Sequence, residues 1–200
     1  MRTKRRRRET HRGRALGERL CLEQLELRRV LDSTVVFNEV MYHPIGDDPA
    51  DEWIELHNQM SVDMDLSNWS IDGGVEFQFP DRVTVPGGGY LLVAKDPSRL
   101  VAAGVDSPIF GPFSGRLNDG GEQIVLKNKS DRVMDTIDYS DESPWPVGAD
   151  GSGASLSKRD PQMGSADSAS WTNSSLPGGT PGAENFQAFD QRKAVLQQSR

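Results

Sequence analysis

The chain has 200 residues, of which 35% are hydrophobic, and glycine and proline together occupy 32 positions. So many turn-forming residues exclude a long helical bundle, and the glycines lack the three-residue period of collagen. The net charge of −7 divides unevenly, because residues 1–33 carry eleven Lys or Arg against five Asp or Glu, whereas residues 34–200 carry twelve against twenty-five.

This charge distribution and the cysteine content exclude several classes of protein. The acidic part, with a net charge of −13, lacks the clustered Lys and Arg that phosphate binding requires, so nucleic acid is not its expected ligand. Cys21 is the only cysteine, which excludes an internal disulfide and a cysteine-based zinc cluster. No apolar run approaches the ~20 residues that cross a bilayer, so no transmembrane segment is expected.

Residues 1–33 are predicted to form a separate basic segment. Its first fourteen residues are too charged to bury themselves, which predicts disorder, and leucines between Leu16 and Leu31 fall near the spacing of a short amphipathic helix. Glu and Arg interrupt every window that could serve as the apolar part of a signal peptide. The sequence L-E-Q-L-E-L-R-R-V-L at 22–31 resembles a prefix of large surface and exported bacterial proteins. The alternatives are a disordered basic arm and a helix that docks on a membrane surface or a partner.

From Thr34 onward, short runs rich in β-branched and aromatic residues alternate with turn residues. Gly73–Gly74 is predicted to be a hairpin turn, Pro86–Gly89 a second turn, and Pro97–Ala103 a possible helical turn. Seven short strands without a convincing helix between them favour an antiparallel sandwich, because a parallel sheet needs helical crossovers. The predicted strands are 35–40, 53–57, 69–72, 75–79, 90–94, 123–127 and 133–139.

The chain after Tyr139 is rich in Gly, Ser and Pro but retains Trp145, Leu156 and Trp171. This composition predicts a long ordered wrap whose indoles cap the sandwich. The sequence thus divides into a basic segment at 1–33, a β-sandwich domain at 34–186 and a frayed tail at 187–200.

Motifs along this domain occur in a characteristic order. They are N-E-V at 38–40, D-E-W-I-E-L-H-N at 51–58, D-L-S-N-W-S-I at 65–71, F-Q-F-P at 77–80, V-P-G-G-G-Y-L-L-V at 85–93, L-N-D-G-G-E-Q-I-V-L at 117–126, P-W-P at 144–146, A-D-G-S-G-A-S-L at 149–156, Trp171 and T-P-G-A-E-N at 180–185. Together they resemble the bacterial form of the lamin tail domain. The resemblance implies an immunoglobulin-like β-sandwich with no catalytic constellation and no set cofactor. It also implies placement in exported or surface proteins, alone or beside hydrolases and adhesive modules.

One acidic loop carries the strongest local concentration of carboxylates. Asp47, Asp48, Asp51 and Glu52 lie within six residues, and hard oxygen ligands in a flexible loop suit Ca²⁺. Their spacing does not match an EF-hand, so a solvated acidic loop is the plainer interpretation.

Other residues offer chemistry only in combination. His43 and His57 could hold a metal with Asp47 or Asp51, and a Ser–His–Asp arrangement is compatible with the composition but lacks a G-x-S-x-G elbow. Asp150–Gly153 could present a carboxylate and free amides, although turn chemistry, with the aspartate bonding its own backbone, explains it more simply.

Two glutamates are candidates for a pair across adjacent strands. Glu39 and Glu55 could face each other across adjacent strands, and we interpret them as structural acceptors of hydrogen bonds.

These observations predict a non-enzymatic module of an exported or cell-surface bacterial protein, acting in adhesion or scaffolding, with no catalytic, cofactor or metal residues. Trp53, Trp69, Trp145 and Trp171 are its predicted packing anchors. We expect a protein or cell-surface polymer as partner and an extracellular or surface location, with the cytoplasm as the alternative; the oligomeric state stays open.

Two other functions compete with this one. The first is an accessory domain that binds the substrate of an extracellular hydrolase or a polysaccharide, which requires exposed aromatic residues. The second is binding of nucleic acid or anionic lipid by the basic arm.

Overall fold

The computed structural model describes residues 34–186, which form an all-β, immunoglobulin-like sandwich. Residues 1–33 and 187–200 lie outside the described residues, so the basic segment, its export-type prefix and the tail stay predictions. The elements are β1 Val35–Met41, β2 Trp53–Asn58, β3 Met64–Asp65, β4 Ser70–Gly73, β5 Val75–Gln78, β6 Thr84–Val85, β7 Tyr90–Ala94, α1 Pro97–Ala102, β8 Ile109–Phe110, β9 Ser114–Gly115, β10 Gly121–Lys127, β11 Val133–Ser140, β12 Leu156–Lys158 and β13 Trp171–Asn173, with single 3₁₀ turns at Pro49–Asp51, Val147–Ala149 and Ser168–Ser170.

Two sheets make up the sandwich. One has six strands in the order β13-β12-β1-β2-β7-β8, and the other has five in the order β11-β10-β4-β5-β9. The pair β3-β6 forms a separate two-stranded ribbon. The antiparallel fold predicted from the strand pattern is confirmed, and so is the hairpin at Gly73–Gly74, where Ile71 pairs with Phe77.

The main core lies between the two sheets. Alternate residues of each strand point into it, because successive side chains of a strand lie on opposite faces. Its largest fully buried side chains include those of Trp171, Phe37 and Phe79, and Trp69 is only 6% exposed. Three of the four predicted packing anchors, Trp53, Trp69 and Trp171, are buried, whereas Trp145 is half-buried against the core.

The outer face of the six-stranded sheet is also covered, which the sequence did not indicate. The alternation in residues 53–57 predicts a strand with one buried face, yet every residue of β1 and β2 is buried. One part of this face carries a small apolar cluster that includes Met41, Trp53 and Leu100 of α1. The rest carries polar side chains that are covered by the chain around Thr180.

A bulge in β1 links the two sheets. The register between β1 and β2 shifts between Phe37 and Glu39. At this bulge the Phe37 N–H donates to the Asp135 carboxylate of β11, in the opposite sheet, at 2.8 Å. A buried carboxylate thereby satisfies a backbone donor that would otherwise lie unpaired inside the protein.

The wrap predicted after Tyr139 does more than cap the sandwich. It contributes β12, which pairs with β1, and β13, which pairs with β12, so it extends the six-stranded sheet by two strands. Trp171, at the start of β13, lies inside the core rather than over it. Each of these strands has only three residues, too few for a periodic pattern to reveal.

The connection from β7 to β8 also differs from the prediction. The helical turn predicted at Pro97–Ala103 is present as α1, but β7 and β8 are parallel and α1 is the short crossover between them, which the sequence did not indicate. The helix begins with Asp96 as its N-cap, whose carboxylate accepts from the Ser98 N–H at 3.0 Å, and with Pro97 in the first turn. Within residues 34–186, no helix has the length and apolarity needed to span a membrane.

Candidate functional site

Three loops meet at one end of the sandwich and bring charged side chains together. They are the loop from His43 to Glu52, the loop around Arg116–Asp119 and the turn at Asp150–Gly153. The Arg116 guanidinium contacts the Asp47 carboxylate, the Asp119 carboxylate at 3.0 Å and the Glu52 carboxylate at 3.2 Å. We call the set His43, Asp47, Arg116, Asp119 and Asp150 the charged end.

A second arginine, Arg99, forms ion pairs with the two remaining aspartates of the acidic loop, Asp48 and Asp51. Arg99 of α1 contacts Asp48 at 2.7 Å and Asp51 at 2.8 Å. The loop is therefore paired with two arginines, and not simply solvated as its sequence suggests. Arg99 lies 51 residues after Asp48, and Arg116 lies 69 residues after Asp47. No periodic pattern in a sequence relates residues so far apart.

Glu52 differs from its three acidic neighbours because its side chain is buried. It accepts a hydrogen bond from the Leu117 N–H at 2.9 Å in addition to the contact with Arg116. Burial is the main cause that raises the pKa of this carboxyl to about 7, and the hydrogen bonds and the arginine oppose the shift. Glu52 thus anchors the 116–119 loop to the sheet.

His43 belongs to a cluster that the sequence analysis identified only in part. Its Nδ1 lies 2.5 Å from the Asp150 carboxylate, and ligand atoms of His43, Asp47 and Asp119 lie within 4.8 Å of one another. His57, the other histidine considered, is on β2 beside the Tyr90 ring, at 4.8 Å between centroids. Of the residues that the sequence analysis considered together, the structure brings His43 close to Asp47 and adds Asp119, whereas His57 is not part of this group.

The Asp150–Gly153 turn has the predicted backbone form but a different role for its carboxylate. Gly151 and Gly153 have φ of +64° and +84°, which glycine adopts without strain. Asp150 bonds to the His43 imidazole, although turn chemistry predicts a bond to its own backbone. Ser152 donates to the Gly148 carbonyl at 2.5 Å, so its hydroxyl is used within the turn.

Two buried polar atoms beside this cluster have no hydrogen-bond partner among the described residues. They are the hydroxyl of Tyr42, a residue 1% exposed, and Oδ1 of Asp119. The Tyr42 ring packs on Tyr139 at 4.7 Å, and burial, followed by the charge of Asp150, raises its pKa. The charges of Asp141 and Asp119 act in the same direction, so the hydroxyl lies among carboxylates.

The glutamate pair on the outer face of the sheet has the predicted arrangement. Glu39 and Glu55 are directly opposite each other in the β1–β2 register, and both side chains are fully buried. Glu39 accepts from Ser157 at 2.8 Å and from the Thr180 N–H at 3.1 Å. Glu55 accepts from Asn38 at 2.8 Å and from the Gly182 N–H at 2.6 Å.

These contacts make the pair the attachment point for residues 179–185. Burial raises the pKa of Glu39, and it raises that of Glu55 to about 8, where the neighbouring Glu39 charge adds to the shift. The pair therefore has the structural role that the sequence analysis assigned to it.

A buried lysine lies on the same sheet. Lys158 of β12 donates to Ser165 at 2.7 Å, and its Nζ lies 5.4 Å from the centroid of the Trp171 ring. Ser165 in turn donates to Asp135 at 2.5 Å, which completes a chain of polar contacts from β12 to β11. Burial lowers the pKa of Lys158 to about 8.

An apolar cavity of about 230 Å³ opens beside α1 on the outer face of the six-stranded sheet. Its floor is formed by Met41 and Trp53, and its walls include Leu100, Pro181 and Ile45 of the acidic loop. Ile45 is 71% exposed, which is unusual for so large an apolar side chain. The loop that contributes to the charged end thus also borders the cavity.

Comparison with known proteins gives one family. The model of the family described as Lamin Tail Domain matches residues 32–141, which is more than half of the chain. A search of curated proteins finds no match.

Proposed function

The chain belongs to the lamin tail domain family, and on this premise we propose that it is a non-enzymatic interaction module of an exported or cell-surface bacterial protein, acting in adhesion or scaffolding. The observation that carries the proposal is the apolar cavity beside α1, whose wall includes the exposed Ile45. A preformed apolar pocket on a rigid sheet is the usual means by which a domain receives an anchoring side chain of a partner.

The size and lining of the cavity indicate the chemistry of the partner. A volume of about 230 Å³ accommodates one aliphatic or aromatic side chain rather than a long chain of sugars. Three carboxylates, those of Asp48, Asp51 and Asp96, share the single guanidinium of Arg99 at the rim. This negative rim favours a protein segment in which a Lys or Arg stands beside the apolar anchor.

The cavity assignment is tested by selecting random displayed peptides on the protein and measuring their affinity by fluorescence anisotropy. We expect the selected peptides to combine an apolar residue with a neighbouring Lys or Arg. The substitution Ala103→Trp places an indole at the cavity wall and is expected to weaken binding by about tenfold or more, which corresponds to about 1.4 kcal/mol.

A matched substitution provides the control. Ala102 is the last residue of α1, is exposed and does not line the cavity, so Ala102→Trp adds the same indole elsewhere. Its affinity is expected to equal that of the unchanged protein. Equal affinities for all three proteins, or selected peptides without an apolar anchor, would argue that the cavity is not the contact surface.

The proposed location has a separate test. Cells expressing the native chain are fractionated, and the intact mass of the recovered protein is measured. Recovery outside the cytoplasm supports export, and loss of residues 1–33 identifies that segment as a cleaved targeting sequence. A full-length chain confined to the cytoplasm contradicts the export part of the proposal, and the search for partners then moves inside the cell.

The burial of the indoles favours this function over polysaccharide binding. Carbohydrate recognition uses exposed aromatic faces, whereas Trp53, Trp69 and Trp171 are at most 6% exposed. In the part of the chain from 34 to 186, none of the large apolar side chains that are well exposed is aromatic. The well-exposed apolar side chains of this part of the chain are thus non-aromatic, which supports a protein partner over a polysaccharide.

A further inference from the structure

We propose that His43, Asp47 and Asp119 form a binding site for one divalent transition-metal cation of the Zn²⁺ class. An imidazole nitrogen and two carboxylates are a ligand set that Zn²⁺ accepts, with solvent completing a four-coordinate shell. Ca²⁺ is disfavoured, because it takes six to eight oxygen ligands and imidazole is not among its usual partners.

The spacing of the three ligand atoms supports the site. One imidazole nitrogen of His43 and one carboxylate oxygen each of Asp47 and Asp119 lie within 4.8 Å of one another, and two ligands at about 2.0–2.2 Å from one ion are separated by at most about 4.4 Å. Only a small closure is therefore needed. Asp47 lies in an exposed loop, with 60% of its side chain accessible. Its carboxylate can therefore move toward the other two ligands, and an ion can reach it from solvent.

Asp150 orients the imidazole for this role. A carboxylate only accepts hydrogen bonds, so the 2.5 Å contact places the proton on His43 Nδ1 and leaves Nε2 as the free ligand atom. Metal-binding histidines in proteins are typically held in this way by a carboxylate on the opposite ring nitrogen.

The unpartnered atoms provide an independent observation. The Tyr42 hydroxyl is buried and lacks a hydrogen-bond partner in the described chain, as does Oδ1 of Asp119, while Oδ2 of Asp119 bonds to Arg116. Buried polar atoms are nearly always paired, and an unpaired one requires an explanation such as an ion. A cation on Asp119 Oδ1 pairs that oxygen directly, and solvent bound to the cation gives the tyrosine an acceptor.

The net charge of the site is negative, which favours the binding of a cation. Asp47, Asp119 and Asp150 present three carboxylates, and Arg116 supplies one positive charge and contacts two of them. Arg116 also holds Asp47 and Asp119 together, which keeps the carboxylates near the ligand position. It reduces the net charge at the same time, so we expect moderate affinity rather than the tight binding of a structural zinc site.

The test is a calorimetric titration of the full chain with ZnCl₂. His11 and Cys21 are potential zinc ligands elsewhere in the sequence, so the titration uses the chain with His11→Gln and Cys21→Ser. We expect one Zn²⁺ per chain. His43→Gln or Asp119→Asn is expected to abolish the binding isotherm, and Asp150→Asn to weaken affinity by about 10–100-fold, the usual effect of removing the partner of a histidine ligand.

Controls separate this result from surface binding and from misfolding. Asp131 is an exposed aspartate outside the cluster, and Asp131→Asn is expected to leave the affinity unchanged. Far-UV circular dichroism checks the fold of each variant, and Asp119→Asn, in a surface loop, is the second variant should His43→Gln not fold. Co²⁺ in place of Zn²⁺ is expected to give a visible absorption band that depends on His43.

Failure of the chain with His11→Gln and Cys21→Ser to bind Zn²⁺ overturns the proposal. So does equal affinity in the folded His43→Gln and Asp119→Asn variants, since binding then occurs elsewhere on the surface. The proposal does not depend on the partner of the apolar cavity, and either result leaves that proposal as it stands.

Discussion

Among single residues, Trp69 combines deep burial with a position between the two sheets. It is 6% exposed and belongs to the main core cluster, which contains residues of both sheets. We expect Trp69→Ala to lower the free energy of unfolding by about 3–5 kcal/mol, because it removes a large buried side chain and leaves a cavity. Trp145 is half-buried, so Trp145→Ala is expected to cost less. Urea denaturation measures both, and a loss below about 1 kcal/mol for Trp69→Ala would contradict its place in the core.

Glu55 gives the protein a specific dependence on pH. Its pKa is raised to about 8 in the folded protein, mainly by burial, against 4.5 for an ordinary glutamate. Between these values the folded state holds a proton that the unfolded state has lost. The contribution of the protonated Glu55 carboxyl to the free energy of unfolding is therefore fully present below about pH 4.5, and it is lost as the pH rises through 8. The slope from one such proton is at most about 1.4 kcal/mol per pH unit.

Urea denaturation at a series of pH values between 5 and 8 checks this expectation. The unchanged protein should lose stability as the pH rises, and Glu55→Gln should flatten that slope. Glu52, with a pKa of about 7, and Glu39, whose pKa burial also raises, add losses of the same sign, so a smaller slope is expected to persist. Glu76 is exposed, and Glu76→Gln serves as the control that keeps the full slope. A slope unchanged in Glu55→Gln would show that this carboxyl is already ionised.

At the residue scale, contacts between side chains of neighbouring strands were easier to predict from the sequence than contacts between loops. Glu39 and Glu55 could be paired because both strands were recognisable and are consecutive predicted strands along the chain. The bond between His43 and Asp150 joins residues 107 apart through two irregular loops. No periodicity relates such loops, so the partner of His43 could not be found from the pattern.

At the scale of elements, residues 178–182 attach the end of the domain to the outer face of the sheet. Gly178 and Gly179 both have positive φ, at +85° and +74°. A Cβ on Gly179 would lie 2.6 Å from the Glu39 carboxylate and 2.8 Å from the Ser155 hydroxyl, whereas a Cβ on Gly178 would meet nothing within 4 Å. The two glycines therefore form a matched pair for substitution.

We expect Gly178→Ala to cost about 1–2 kcal/mol, the strain of a left-handed backbone alone. Gly179→Ala carries the same strain and must also displace hydrogen-bonded side chains, which adds about 1–3 kcal/mol. Thermal unfolding of both variants measures the difference. Equal losses would indicate that residues 178–182 are not held against Glu39 as described.

The elements themselves were predictable where they are long. The predicted strands at 90–94 and 133–139 agree with β7 and β11 within one residue. Strands of two or three residues, such as β8 and β12, are too short to show an alternation of apolar and polar residues. They form because they pair with the edge of a longer strand, β7 for β8 and β1 for β12. The wrap and the helical turn at 97–103 were predicted, but the strands β12 and β13 within the wrap and the crossover role of α1 were not, since tertiary pairing determines both.

On the scale of the whole molecule, one sheet supports both proposed surfaces. The loop from His43 to Glu52 contributes Asp47 to the charged end and Ile45 to the wall of the cavity. Arg99 fixes this loop to α1, and Arg116 fixes it to the 116–119 loop. Binding surfaces on loops that a rigid sandwich holds in place are the common arrangement for domains of this architecture.

The contacts of the described residues also predict how the domain behaves alone. β1 is paired on both sides, with β2 and β12, and the outer face of the sheet is covered by residues within 34–186. A fragment limited to 34–186 is therefore expected to fold by itself and to unfold in a single transition. Differential scanning calorimetry of the fragment and of the full chain at equal pH and salt checks this, and the absence of a cooperative transition in the fragment would contradict it. A lower transition temperature for the fragment would mean that residues 1–33 or 187–200 stabilise the sandwich, and two fragments that each lack one of these segments would then assign the contribution.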